Sequence, residues 1–213
     1  MKLTAEQIQD NWNVFLGLIE EHISSPRKEK LLDFYNQYAD RIMFMPAAHK
    51  KEYHNAFPGG YVEHVIRVVN CSLKQHQLWA DEGVDTSTYT IEELVFAAIN
   101  HDLGKLGTND QPFYVPQTSE WHQKNQGKYF TYNSQMQHMR IADRSLYYLQ
   151  KAGIEVSENE YIAIKVHDGL YEPGNEAYLK THTPESQIKG HLPYILHQAD
   201  LMASRVENDV NKA

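Results

Sequence analysis

His64, the adjacent pair His101-Asp102, His138, His167 and Asp200 carry imidazole and carboxylate groups of the kind that hold divalent metal. Mixed nitrogen and oxygen ligands suit first-row transition ions, and a carboxylate can bridge two of them. Neighbouring residues on a helix point about 100° apart, so His101 and Asp102 can share an ion only near a helix end. Histidines and aspartates turned inward from several helices of a bundle are a known way to build such a site. The chemistry it offers is attack by a water that the metal has acidified. A lone histidine on a helix is more often a core or surface residue. The ordered set carries the argument, not any one member.

These side chains need a scaffold, and the hydrophobic pattern supplies helices. Thr4-Ala5-Glu6-Gln7 reads as a capping box for a first helix with Ile8, Trp12, Phe15, Leu16 and Ile19 on one face. A second helical segment covers about residues 28–38. Residues 43–60, with two prolines and Gly59-Gly60, read as a loop. A third helix starts near Tyr61 and carries His64 in its first turns. Thr90-Ile91-Glu92-Glu93 opens another, which ends at His101-Asp102 with Gly104 as its stop. Residues 107–133 lose the pattern but are rich in aromatics (Phe113, Tyr114, Trp121, Tyr129, Phe130, Tyr132), as in a lid or binding loop. Ser134 is expected to cap a helix reaching about Lys151, with His138 one turn in. Ser157 caps another that reaches His167, and a last helix, residues 185–211, holds Asp200. No alternation indicates strands. The expected class is all-α, a single-domain helical bundle.

With 213 residues, 41% apolar and 23% charged, the chain has the composition of one soluble globular domain. Its single cysteine, Cys71, excludes an internal disulfide framework and fits a reducing compartment. No apolar leader core follows Met1-Lys2-Leu3-Thr4, and no apolar run approaches the roughly 18 residues of a membrane span, so a cytoplasmic location away from membrane is expected. The formal charge of −8 argues against tracking of long nucleic acid, which usually needs a basic surface. It leaves room for a small anionic substrate, because bound metal reverses the local field.

At these residues the sequence resembles the HD-domain metal-dependent phosphohydrolases. The ordered set His64, His101-Asp102 and Asp200 matches, together with its flanks Phe57-Pro58-Gly59-Gly60-Tyr61-Val62-Glu63-His64, Asn100-His101-Asp102-Leu103-Gly104-Lys105 and His197-Gln198-Ala199-Asp200-Leu201-Met202-Ala203-Ser204. The resemblance covers roughly residues 57–207. It implies a helical core over residues 57–213, with residues 1–56 as a helical cap or as a contact in a homo-oligomer. One ion would be held by His64, His101, Asp102 and Asp200. A second would be held by His138 and His167 with Asp102 bridging. Manganese, iron, cobalt or nickel suit these ligands, and magnesium is also admitted.

Lys105 would contact phosphate; its plain alternative is a cation favoured at a helix C-terminus. Arg140 and Arg205 could reach phosphate or serve as surface ion pairs. The Asp168-Gly169 that follows His167 departs from many two-metal relatives, and Asp168 could orient the water, protonate the leaving group or simply face solvent. The resemblance thus implies a phosphohydrolase acting on a nucleotide, with a short-oligonucleotide 3′–5′ nuclease, a di-iron oxygenase and a non-catalytic nucleotide sensor as alternatives. Among the remaining histidines His54 stands out, in the loop before the first motif. Glu63, beside His64, is either a partner of it or a solvated carboxylate.

Overall fold

Capping and apolar periodicity decide where most helices begin and which face they bury. The computed structural model describes residues 3–212. Thr4 opens α1 (Ala5–His22) through the expected box: its hydroxyl accepts the Gln7 N–H, and the Gln7 side chain accepts the Thr4 N–H. Ile8, Trp12, Phe15 and Ile19 form the buried face of α1. After α2 (Arg27–Gln37) and the single turn α3 (Ala39–Ile42) come two long elements, α4 (Gly60–Asp81) and α5 (Ile91–Asn100). Thr90 and Glu93 cap α5 as the sequence indicates, and a 3-10 turn, Leu103–Leu106, continues it. There follow β1 (Tyr114–Pro116), α6 (Glu120–Gln126), β2 (Phe130–Tyr132), α7 (Ile141–Lys151), α8 (Glu158–Val166), α9 (Glu176–Leu179) and α10 (Leu192–Lys212).

The chain is mainly helical and makes one domain. α4 lies at its centre, packed against α10, α5 and α1, while α8 closes on α5 and α10. Tyr61, Val65, Phe96, Ile99, Leu149, Ile195 and Leu196 are among the residues of the single core between them. α2 is tied into that core by charge. The Arg27 guanidinium donates to buried Glu160 at 2.7 Å and to Glu92 at 2.5 Å, and it lies 4.2 Å above the Phe96 ring. Tyr35 donates its hydroxyl proton to Asn100, the residue before His101, at 2.9 Å. No helix among the described residues is long and apolar enough to cross a membrane.

Three sequence expectations are corrected. Residues 107–133 are not patternless: β1 and β2 pair antiparallel, Tyr114 opposite Tyr132 and Pro116 opposite Phe130, with α6 between them. Strands of three residues are too short for alternation to show. Secondly, the helix expected from Ser134 begins only at Ile141. Asn133 is held by its N–H to Phe113 and its side-chain amide to Pro112, and the Gln137 carbonyl accepts from Arg144. These tertiary bonds outweigh a local capping signal. Thirdly, α10 starts at Leu192, because Pro184 opens a separate 3-10 turn and Gly190 interrupts the run. Pro193 then falls in the first turn of α10, where its missing N–H costs nothing.

Gly104 does not stop α5 by a left-handed turn. It sits inside the 3-10 turn, where a Cβ would stand 2.1 Å from the Ile141 carbonyl oxygen. Its absence of side chain lets the His101-Asp102 turn rest on α7, with the Gly104 N–H donating to Ser145 Oγ at 2.8 Å.

The Arg27–Glu160 pair gives a test of the core. Arg27→Met leaves a carboxylate buried without its cation and is expected to lower unfolding stability by about 3–5 kcal/mol. Arg27→Met/Glu160→Gln should regain part of that. Urea denaturation measures both; a loss below about 1 kcal/mol in the single variant would show that the pair does not hold α2 to α8.

Candidate metal centre

His64 reaches the centre of the protein because of the two glycines before it. Gly59 takes a φ of +87° to turn the chain into α4, and a Cβ on Gly60 would stand 2.1 Å from the Asn55 carbonyl oxygen. The first turn of α4 thereby packs closely against the Asn55 loop and Ile8 of α1. His64 Nδ1 meets Glu207 Oε2 at 3.0 Å, and the other oxygen of Glu207 accepts from Arg67 Nε at 3.2 Å. The ring is thus fixed with Nε2 toward the centre, 3.2 Å from Asp200 Oδ1 and 3.8 Å from Asp102 Oδ2.

His101 and His167 are oriented differently. Each ends a helix, and each donates Nδ1–H to a carbonyl three residues back: Ala98 at 2.7 Å and Ile164 at 2.8 Å. A carbonyl only accepts, so both rings present Nε2 to the centre. His101 Nε2 lies 3.5 Å from Asp102 Oδ2, and His167 Nε2 lies 3.7 Å from Asp102 Oδ1. Asp102 therefore turns one oxygen toward His64 and His101 and the other toward His167, as a bridging carboxylate must. Asp168, with its side chain 49% exposed, adds an oxygen 3.6 Å from His167 Nε2.

His64, His101, Asp102, His167, Asp168 and Asp200, joined by His54, form overlapping groups whose ligand atoms lie within 4.8 Å of one another in each group. The Nε2 atoms of His54, His64 and His101 are buried without a hydrogen-bond partner. Unpartnered buried imidazole nitrogens facing carboxylates fit a metal ion, because each lone pair and each anion would then be satisfied.

Charge leads to the same requirement. Burial would raise the pKa of Asp102, but Lys105 and His101 hold it well below the usual carboxylate range. Asp200 is likewise lowered against burial by His64 and His101. Burial would depress the pKa of His64, yet Glu207 and Asp200 push it up to about 10; for His167, Asp168 and Asp102 do the same, also to about 10. Lys105 Nζ donates to Asp102 Oδ2 at 2.5 Å, and this pairing raises its pKa despite burial. Burial, then the charges of His64 and Lys105, lower His54 well below the ordinary histidine value, which leaves its ring neutral. The cluster demands positive charge, which protons supply when metal is absent.

Three of the residues expected at the site from the sequence are not brought to this centre. His138 lies in the exposed loop before α7 rather than on a helix, because α7 starts at Ile141, and it joins none of the ligand groups. It lines instead a groove of about 580 Å³ that opens beside Asp168 and includes Phe113, Tyr132, Arg140 and Lys165. Arg140 is at that groove but ion-paired with Glu172 at 2.8 Å. Arg205 is exposed; five residues on from Asp200, it points about 140° round α10 from it, away from the centre. Glu63 is half-buried beside Arg67 and is not among the ligand groups.

Glu207 was not singled out from the sequence. Its signal is there, however: it follows Asp200 by two turns on the same face of α10. The β1–β2 hairpin lies over the Lys105 side of the centre. His49 contacts the rings of Tyr114 and Tyr132, and Lys50, Lys128 and Lys105 are all close enough to depress its pKa after burial has done so. Lys50 and Lys128 thus bring positive charge to this rim, with Glu52 paired to Lys50 opposing it. No family model, curated protein or solved structure matches the chain. The fold and the buried histidine–aspartate cluster are compatible with an HD-type metal site.

Two expectations follow. Glu207→Gln keeps the shape but removes the anion behind His64, and should weaken metal binding about 10- to 100-fold by calorimetric titration; unchanged affinity would exclude an orienting role. The second concerns pH. His64 and His167 have folded pKa values raised above the ordinary 6.5, so their contribution to metal-free stability is full below about pH 6.5 and is lost as pH rises toward 10. The lowered carboxylates contribute fully above their ordinary 3.8 and lose that contribution in acid. Metal-free protein should therefore melt highest between about pH 4 and 6.5 as far as these groups decide it, while metal affinity climbs with pH as protons leave the ligands. Thermal melts with and without chelator read both; metal affinity that falls from pH 6 to 8 would contradict the assignment.

Proposed function

We propose that the protein is a metal-dependent phosphohydrolase that cleaves a phosphoester or phosphoanhydride bond of a nucleotide. The observation that carries this reading is the meeting of unpartnered Nε2 atoms, buried Asp102, half-buried Asp200 and a buried lysine in one place. The resemblance to HD-domain phosphohydrolases at these same residues supports it. His64, His101, Asp102 and Asp200 would hold one ion; His167, with Asp102 shared, would hold a second. Such ions supply a water acidic enough to attack near neutral pH and a Lewis acid for a phosphoryl oxygen.

The chain's own groups do the rest. Asp102, with one oxygen toward His64 and His101 and the other toward His167, is the residue that both ions would share. Lys105, already paired with Asp102, places a fixed positive charge beside the reacting group and offsets charge that grows on its oxygens. Asp168 faces the groove with half its side chain in solvent, where it can hold the proton that the water gives up and pass it to the leaving oxygen. Phe113 and Tyr132 offer flat rings along the groove for a nucleobase. Lys50, Lys105 and Lys128 favour an anion over a neutral substrate.

The test is release of phosphate or nucleotide from nucleoside mono-, di- and triphosphates, cyclic dinucleotides and short oligonucleotides. Protein stripped of metal is reloaded with manganese, iron, cobalt, nickel or magnesium. Turnover restored by at least one ion is expected, abolished by Asp102→Ala and lowered about 10²- to 10³-fold in kcat by Lys105→Ala. Turnover confined to oligonucleotides would make the protein a nuclease. Metal binding with silence across the panel would overturn the hydrolase, and oxygen consumption by the iron form would replace it with an oxygenase.

A further inference from the structure

The loop that enters α4 is held in an unusual shape. Asn55 has a φ of +43°, the left-handed region that residues other than glycine seldom enter, and it is buried. The surroundings fix it there. Its carbonyl accepts the N–H of Ala47 and of Phe57, and its side-chain oxygen accepts from Asn211 Nδ2 at 3.0 Å. Gly60 has no Cβ, which leaves room for that carbonyl. The residue that this turn directs inward is His54.

The His54 ring lies against His64, with centroids 4.4 Å apart and planes 31° from parallel. Its Nε2 is buried and meets no donor or acceptor. His54, His64 and Asp102 offer ligand atoms all within 4.8 Å of one another. An unpaired ring nitrogen in a strained, well-tethered loop is costly unless something binds it.

We propose that His54 is a ligand of the ion held at His64 and Asp102, so that a loop residue outside the resemblance adds an imidazole to that position. This rests on the metal centre assigned above. The ion at that position would then meet three imidazoles, from His54, His64 and His101, and the carboxylates of Asp102 and Asp200. So nitrogen-rich a set favours cobalt, nickel, iron or zinc strongly over magnesium, which prefers oxygen ligands and retained water.

The experiment uses the full chain, stripped of metal and titrated by calorimetry with cobalt, nickel and magnesium, with the visible spectrum of the cobalt form as a second readout. His54→Gln keeps a polar side chain but replaces the ring nitrogen by an amide, and His54→Phe keeps a ring against His64 with no ligand atom. Both are expected to weaken cobalt and nickel at least tenfold, to weaken magnesium much less, and to change the cobalt ligand-field bands. Circular dichroism and urea midpoints confirm that each variant folds. Equal loss for all three ions with unaltered cobalt bands would mean that His54 only supports His64, and would overturn the proposal. So would wild-type affinity in both variants, which leaves the metal centre itself intact. No uptake of any ion by the wild type would instead remove the metal centre, and His54 as its ligand with it.

Discussion

Asp102 is buried inside a helical bundle, with Asp200 half-buried beside it, and much of the molecule can be understood from that fact. A buried carboxylate is tolerated only where positive charge and hydrogen-bond donors surround it. Here the surroundings are supplied by side chains from α4, α5, α8 and the 3-10 turn after α5, so the helices cannot pack in another register without stranding an anion. The aspartates thus add a polar constraint to the packing of the apolar core. That constraint belongs to folding, and it gathers imidazole and carboxylate groups that could hold a cation.

The histidines are held to that centre by two kinds of anchor. His101 and His167 use backbone carbonyls one turn back, which any helix end can offer, so their direction follows from helix geometry alone. His64, placed early in α4, relies on Glu207, which is itself steadied by Arg67. A carboxylate anchor makes an imidazole more electron-rich than a carbonyl does. The three rings are therefore anchored unequally, and His64 alone among them has a carboxylate behind it.

The sequence revealed the helices wherever capping and periodicity agreed, as at Thr4, Thr90 and Ser157. It failed where a distant contact overruled a local signal. Ser134 begins a capping box, but the hairpin that holds Asn133 and the reach of Arg144 to Gln137 keep the chain out of helix until Ile141. That one displacement also removes His138 from the centre. Five of the residues chosen as ligands, His64, His101, Asp102, His167 and Asp200, meet as the order of motifs implied. His54 was less legible, because its direction depends on a left-handed Asn55 that no pattern announces. Glu207 was legible only through helical phase: its spacing from Asp200 becomes meaningful once α10 is known to lie along α4.

His197 has a consequence for how the centre responds to stress. From α10 it donates Nδ1–H to the carbonyl of His167 at 2.7 Å, and its ring fills the space above Gly169, where a Cβ would stand 2.4 Å away. The same helix carries Asp200 and Glu207. A slide or tilt of α10 therefore carries Asp200 along, shifts the anchor of His64 and pulls on the backbone of His167 in one stroke. One helix thus contacts the cluster at three places, and a change in its seat would disturb all three at once.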